Sequence, residues 1–149
     1  MAMTMNGQVQ LAASRDVVWA KLNDPEVLKS CIPGSEQFDR ISDSEFQAIA
    51  TVKVGPVKAR WKGKVRLSDL DPPNSYRISG EGEGGVAGFA KGGAKVSLTD
   101  KDGGTLLTYD VEAQIGGKLA QLGQRLINSA AKKTADDFFT RFAAAVAAG

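Results

Sequence analysis

The sequence contains no histidine. That absence removes Ser-His-Asp and Cys-His catalysis, imidazole metal ligands and histidine pH switching together. Its single cysteine, Cys31, can close no internal disulfide and build no cysteine-cluster zinc site. A reducing, cytoplasmic setting is expected, with no metal and no cofactor. Long hydrophobic runs are missing too. The alanine-rich stretch from Phe142 to Ala148 falls far short of the ~20 residues a membrane span needs. Met1 to Gly7 lacks a basic segment followed by an apolar run, so no secretory signal is expected. Nor is there an excess of one charge. Lys and Arg number 19, Asp and Glu 17, for a net charge of +2. A nucleic-acid partner is therefore not expected, because such affinity comes from neutralising many phosphates.

What is present describes an ordinary globular chain. Its 149 residues suit one domain spanning 1–149, and 42% are hydrophobic. Met5, Gly7, Val9 and Leu11 alternate with Asn6, Gln8 and Gln10, which predicts a half-buried strand. Ser14 sits where an N-cap belongs, ahead of Val18, Trp19 and Leu22. Asp24-Pro25 opens a second short helix, because Asp caps and proline suits the first helical position. Pro33-Gly34 ends it.

From about Glu36 to Ile115 the pattern is strand after strand. A hairpin closing at Gly55-Pro56 pairs Val54 with Val57, Ala50 with Trp61, Ala48 with Gly63 and Phe46 with Val65, each inward residue meeting another. A turn within Asp69 to Asn74 is predicted to pair Leu67 with Tyr76, Val65 with Ile78, Gly63 with Gly80 and Trp61 with Gly82. On the outside it would pair Lys62 with Glu81 and Arg60 with Glu83. A hairpin at Lys101 to Gly104 pairs Leu98 with Leu107, Val96 with Tyr109 and Lys95 with Asp110. The last ~30 residues read as one helix with an apolar stripe of Leu119, Leu122, Leu126, Ala130, Phe138, Phe142 and Val146. The expected fold class is α+β. A curved antiparallel sheet of about seven strands wraps a long C-terminal helix, with two short helices after the first strand.

That order resembles the helix-grip arrangement of the Bet v 1 and START-like (SRPBCC) superfamily. The local sequence is more specific. Asp24-Pro-Glu-Val-Leu-Lys-Ser-Cys31-Ile-Pro-Gly-Ser-Glu36, Val52-Lys-Val-Gly-Pro56 and Gly116-Gly-Lys-Leu-Ala-Gln-Leu-Gly-Gln-Arg-Leu-Ile127 resemble the G-subunit family of carbon monoxide dehydrogenase, as does the Phe138-Phe139 pair. The resemblance covers nearly the whole chain. It implies a small quinone- or lipid-binding protein associated with a molybdenum hydroxylase of the CO dehydrogenase type, with at most peripheral contact with the inner membrane.

Small residues on the inner sheet face carry the main site expectation. Ala48, Ala50, Gly63, Gly80 and Gly82 surround Trp61, and mid-helix offers Ala130, Ala131, Thr134 and Ala135 opposite. Two facing surfaces short of side-chain volume leave room for a pocket, unless sheet and helix simply pack closer. The expected walls are Trp61, Val65, Tyr76, Ile78, Val96, Leu98, Tyr109, Leu126, Ala130, Ala48 and Ala50. The tyrosines have hydroxyls to offer a quinone carbonyl. Gly80 to Gly93 contains a literal G-x-G-x-x-G, but Glu81 and Glu83 would repel phosphate and no helix is expected after it. It reads as a sheet bend or as a lid, with Val86 and Phe89 as the pocket rim. Lys58, Arg60, Lys62, Lys64 and Arg66 form an outer basic stripe. It is either a docking surface for an acidic partner or an anionic lipid surface, or a solvated face offset by Glu45, Glu81 and Glu83.

The leading expectation is a non-catalytic carrier of an apolar molecule, with no catalytic residue. Two alternatives stay open: a cyclase-like enzyme using tyrosines and a buried carboxylate, and a docking adaptor with a filled core.

Overall fold

The computed structural model describes residues 1–147. Ala148 and Gly149, the end of the predicted domain, lie outside the described residues. Seven antiparallel strands form one sheet in the order β1-β7-β6-β5-β4-β3-β2. They are β1 (Ala2–Leu11), β2 (Ser35–Arg40), β3 (Glu45–Val54), β4 (Val57–Asp71), β5 (Ser75–Glu83), β6 (Phe89–Lys101) and β7 (Gly104–Gly116). Helices α1 (Arg15–Leu22) and α2 (Pro25–Cys31) follow β1, and α3 (Gln124–Ala147) ends the described chain. This is the expected helix-grip architecture.

The short helices begin where local chemistry says they should. Ser14 Oγ accepts from the Val17 amide, and an Asp24 carboxylate oxygen accepts from the Glu26 amide at 3.0 Å. Such caps contribute about 1 kcal/mol each by satisfying donors that the first turn leaves free. Cys31 is the buried last residue of α2.

The hairpins at Gly55 and at Lys101 to Gly104 have the expected registers. The β4–β5 register does not. Leu67 faces Ile78, Val65 faces Gly80, Gly63 faces Gly82, Lys64 faces Glu81 and Lys62 faces Glu83, a slip of two residues from expectation. The turn closes on Asp71 and Ser75, later than expected, which alone would slip the register by three. An irregularity between Ser68 and Asp71, where Asp69 takes a left-handed φ of 52°, places one extra residue on β4 and brings the slip back to two. Because the slip is even, every side chain stays on its predicted face.

The C-terminal helix is shorter and differently phased than expected. Lys118–Leu122 forms a separate 3-10 turn, and Gly123, at φ 93°, breaks the path before α3. The 24 residues of α3 span ~36 Å. The helix restarts after Gly123, so the stripe through Leu119, Leu122, Leu126 and Ala130 does not continue along it. The buried positions are Ile127, Phe142 and Val146. Leu126 is 36% exposed and lies over Gly55.

Two apolar clusters lie between sheet and helices. One joins Phe46, Leu107, Phe142 and Val146 to Val18, Leu22 and Leu28 of the short helices. The other gathers Met3, Ile115, Leu119 and Ile127, with Trp61 and Val54 against it. Full burial of a Phe or Leu side chain contributes roughly 1.5–3 kcal/mol. Helix α3 approaches the sheet most closely at β1 and β3, so the central strands face a gap.

Candidate functional site

An apolar cavity of about 250 Å³ lies in that gap. The sheet supplies Phe38, Phe46, Val65, Leu67, Tyr76, Ile78, Ala94, Val96, Leu107, Tyr109 and Val111. Leu22, Leu28 and Ile32 close one end, and Ala135, Phe138 and Phe139 of α3 form the roof. No lining side chain is charged. A shallower apolar hollow of about 400 Å³ continues along the inner face over Ala48, Gly63, Gly80, Gly82, Gly92 and Ala113. It shares Val65, Ile78, Ala94 and Val111 with the cavity. The space exists because cross-strand neighbours here are glycine and alanine. Ala48, Gly63, Gly82 and Ala90 form one row across four strands.

Tyr76 is 5% exposed, and its ring stands edge-on to Trp19 at 5.3 Å between centroids. Burial pushes its hydroxyl pKa upward, so it remains a hydrogen-bond donor well into alkaline pH. No hydrogen bond to it forms among the described residues, yet no fully enclosed side-chain polar atom there lacks a partner. The hydroxyl therefore retains some open space. Tyr109 stacks on Phe139 at 5.1 Å and lies over Gly7 of the edge strand β1.

Of the residues expected to form walls, the structure brings Val65, Tyr76, Ile78, Val96 and Tyr109 together around the cavity, and Ala48 to the adjoining hollow. Trp61, Ala50, Leu98, Leu126 and Ala130 line neither space. Trp61 packs against Gly84 and the Ile127 cluster, and Leu98 is buried in the other cluster. Sequence reasoning missed Phe38, Phe46 and Leu107 as walls. It also missed the lining role of Phe138 and Phe139, although it singled out that pair. Two adjacent aromatic residues on a helix, with both rings half-buried, are the signal that marks a roof facing a wide gap.

The rim residues lie apart from the cavity. Val86, on a 3-10 turn at Gly85–Ala87, is 91% exposed, and Phe89, 48% exposed, packs on Gly116. That turn begins on the last glycine of the G-x-G-x-x-G, and it is too short to aim a dipole at phosphate. The basic stripe Lys58, Arg60, Lys62, Lys64 and Arg66 is on the outer face. Arg66 pairs with Glu45 at 2.7 Å. Arg60 pairs with Glu36 at 3.2 Å, not with Glu83, because of the register slip. A hydrogen bond from Thr51, helped by Arg60, holds the Glu36 carboxyl below the usual carboxylate range. Asp136 and Asp137 pair with Lys132 and Lys133 one helical turn away. Among the described residues, no cluster of three metal-ligating side chains occurs, and no helix is long and apolar enough to cross a membrane.

No curated protein matches the sequence. Among solved structures, a conserved protein from Geobacillus kaustophilus is 33% identical, with a TM-score of 0.91 over 97% of this chain and 95% of that one. A START superfamily protein from Mycobacterium smegmatis is similar at TM-score 0.71 and 15% identity, over 96% of each chain. The Zhui aromatase/cyclase from Streptomyces sp. R1128 is similar at TM-score 0.71 and 13% identity, over 98% of this chain and 94% of that one. The last two share the fold. The family model of the carbon monoxide dehydrogenase G-subunit (CoxG) matches residues 7–147, and on that match the chain belongs to the CoxG family.

Proposed function

We propose that this protein is a non-catalytic carrier for an uncharged apolar molecule such as a quinone or isoprenoid lipid, and that it serves a molybdenum hydroxylase of the CO dehydrogenase type. The observation that carries this reading is an uncharged cavity holding one buried hydroxyl with no protein partner among the described residues. An apolar lining favours a ligand through area removed from water. A neutral donor such as Tyr76 adds orientation for a carbonyl without demanding charge. The lining contains no carboxylate, lysine or cysteine, so a cyclase-like chemistry would rest on Tyr76 and Tyr109 alone. The hydroxylase as partner rests on the family.

The test is native mass spectrometry of the purified protein, with solvent extraction of bound lipid and titration with a short-chain quinone analogue. A bound apolar molecule, or saturable binding of the analogue, is the expected result. Consistent absence of both overturns the reading. Co-elution with the hydroxylase on size exclusion tests the partner separately.

A further inference from the structure

We propose that the groove between β1 and α3 is the entrance to the inner cavity and that Tyr109 is its gate; this rests on the carrier reading above. A hollow of about 420 Å³ runs between the edge strand β1 and the helix, outside the cavity. Residues Met3 to Gln8 form one wall, and Asn128, Ala131, Lys132 and Asp136 form the other. Two residues, Met5 and Tyr109, line both this groove and the cavity. They form the partition between the two spaces.

The partition at Tyr109 is one aromatic ring held by packing. The Tyr109 ring lies across Gly7, and a Cβ on that glycine would stand 2.6 Å from the ring carbon that bears the hydroxyl. Any other residue at position 7 would push the ring out of this place. On its other side the ring stacks on Phe139 at 5.1 Å, and Phe139 meets Phe138 edge-on at 5.0 Å. The ring is held by stacking, and no hydrogen bond to its hydroxyl forms among the described residues. Stacked aromatic pairs contribute only about 0.5–1.5 kcal/mol beyond their burial. A rotation of Tyr109 about its side-chain bonds therefore opens the partition without breaking any backbone pairing.

The groove also states what it admits. Its two charged side chains, Lys132 and Asp136, are paired with each other at 3.0 Å. As an edge strand, β1 has backbone groups that β7 does not use, and these face away from the sheet. The ligand class is an uncharged amphiphile. Its apolar body occupies the cavity, and its neutral hydrogen-bonding end remains in the groove against β1 and Asn128.

The experiment is stopped-flow uptake and release of the neutral fluorophore N-phenyl-1-naphthylamine by the full chain. Four forms are compared: wild type, Tyr109→Ala, Asn128→Trp, and, as control, Leu70→Ala at the exposed end of β4, which lines neither groove nor cavity. Tyr109→Ala is expected to raise both rates several-fold. Asn128→Trp, on the exposed groove wall, is expected to lower both several-fold. Leu70→Ala is expected to match wild type. Saturable binding with wild-type rates in both test variants overturns the gate and leaves the carrier reading standing. No saturable binding in any form overturns both. If Tyr109→Ala fails to fold, Asn128→Trp alone decides: slowed rates support the entrance, and wild-type rates refute it.

Discussion

Trp61 lies flat over the backbone of Gly84: a Cβ added to that glycine would stand 2.8 Å from the indole Cε2 and 2.9 Å from Cδ2. Gly84 has a φ of −120°, so the constraint is space and not backbone conformation. Gly84→Ala is expected to cost about 1–3 kcal/mol by displacing the indole. In Trp61→Ala the same substitution should cost much less, a coupling that urea denaturation of the double-mutant cycle measures. Since Trp61 lines neither inner space, Trp61→Ala should destabilise the protein while leaving fluorophore affinity near wild type. A large affinity loss at retained stability would return Trp61 to the ligand.

Tyr76→Phe removes a hydroxyl that has no protein partner among the described residues. Stability should change by less than about 1 kcal/mol, since no intramolecular hydrogen bond is lost. Affinity for a quinone analogue should fall several-fold, and affinity for a ligand without an acceptor should hold. Isothermal titration with the two ligands separates these outcomes.

The same residue carries a pH signature. Burial raises the Tyr76 pKa in the folded state above the unfolded value of ~10. Above that pH the unfolded chain releases the proton while the folded protein keeps it, so stability falls as pH rises. Below it the two states hold the proton equally, and no dependence arises. The slope approaches about 1.4 kcal/mol per pH unit for one such group. Comparing wild type with Tyr76→Phe by urea denaturation from pH 9 upward isolates it: the variant should lose stability less steeply.

Ala135→Leu places three more carbon atoms in the roof of the cavity. Filling empty apolar space recovers part of a cavity term of roughly 24 cal/mol per Å³. Thermal stability should hold or rise, and binding of the fluorophore should weaken strongly. Unchanged binding would place the ligand elsewhere.

Thr105 is fully buried, and its hydroxyl donates to the Ala13 carbonyl at 2.7 Å, tying β7 to the bend ahead of α1. Thr105→Val keeps the shape and leaves that carbonyl without its donor. The expected cost is about 1–3 kcal/mol in urea unfolding. Because Leu107, two residues along, faces the cavity, a small loss of ligand affinity should accompany it.

Much of this fold is local in origin and can be read from the chain. Strict alternation in β4 puts Val65 and Trp61 on one face and Lys64 and Arg66 on the other whatever strand lies beside it, because side-chain direction has a period of two. Ser14 and Asp24 start their helices through bonds spanning two or three residues. The hairpin at Gly55 needs only its own turn. These elements also place Tyr76 and Tyr109 on the inner face, and the words around Cys31 and Gly123 carry the family.

Other features depend on chain brought from far away, and only the tertiary structure decides them. The β4–β5 register follows from a turn that closes late, on Asp71 and Ser75, less one residue taken up by the irregularity at Asp69; hydrophobic parity cannot detect the result because a slip of two leaves both faces unchanged. The phase of α3 resets at Gly123, so Ile127 turns inward and Leu126 outward. The position of the cavity is the clearest case. Small residues in β3 to β6 make space along the whole inner face, and the sequence attaches that space to Trp61. Trp61 instead fills its own surroundings by stacking over Gly84 and against the Ile127 cluster. The cavity lies at the other end, where Tyr76, Phe138 and Phe139 meet the short helices, because that is where α3 stands away from the central strands while resting on β1 and β3.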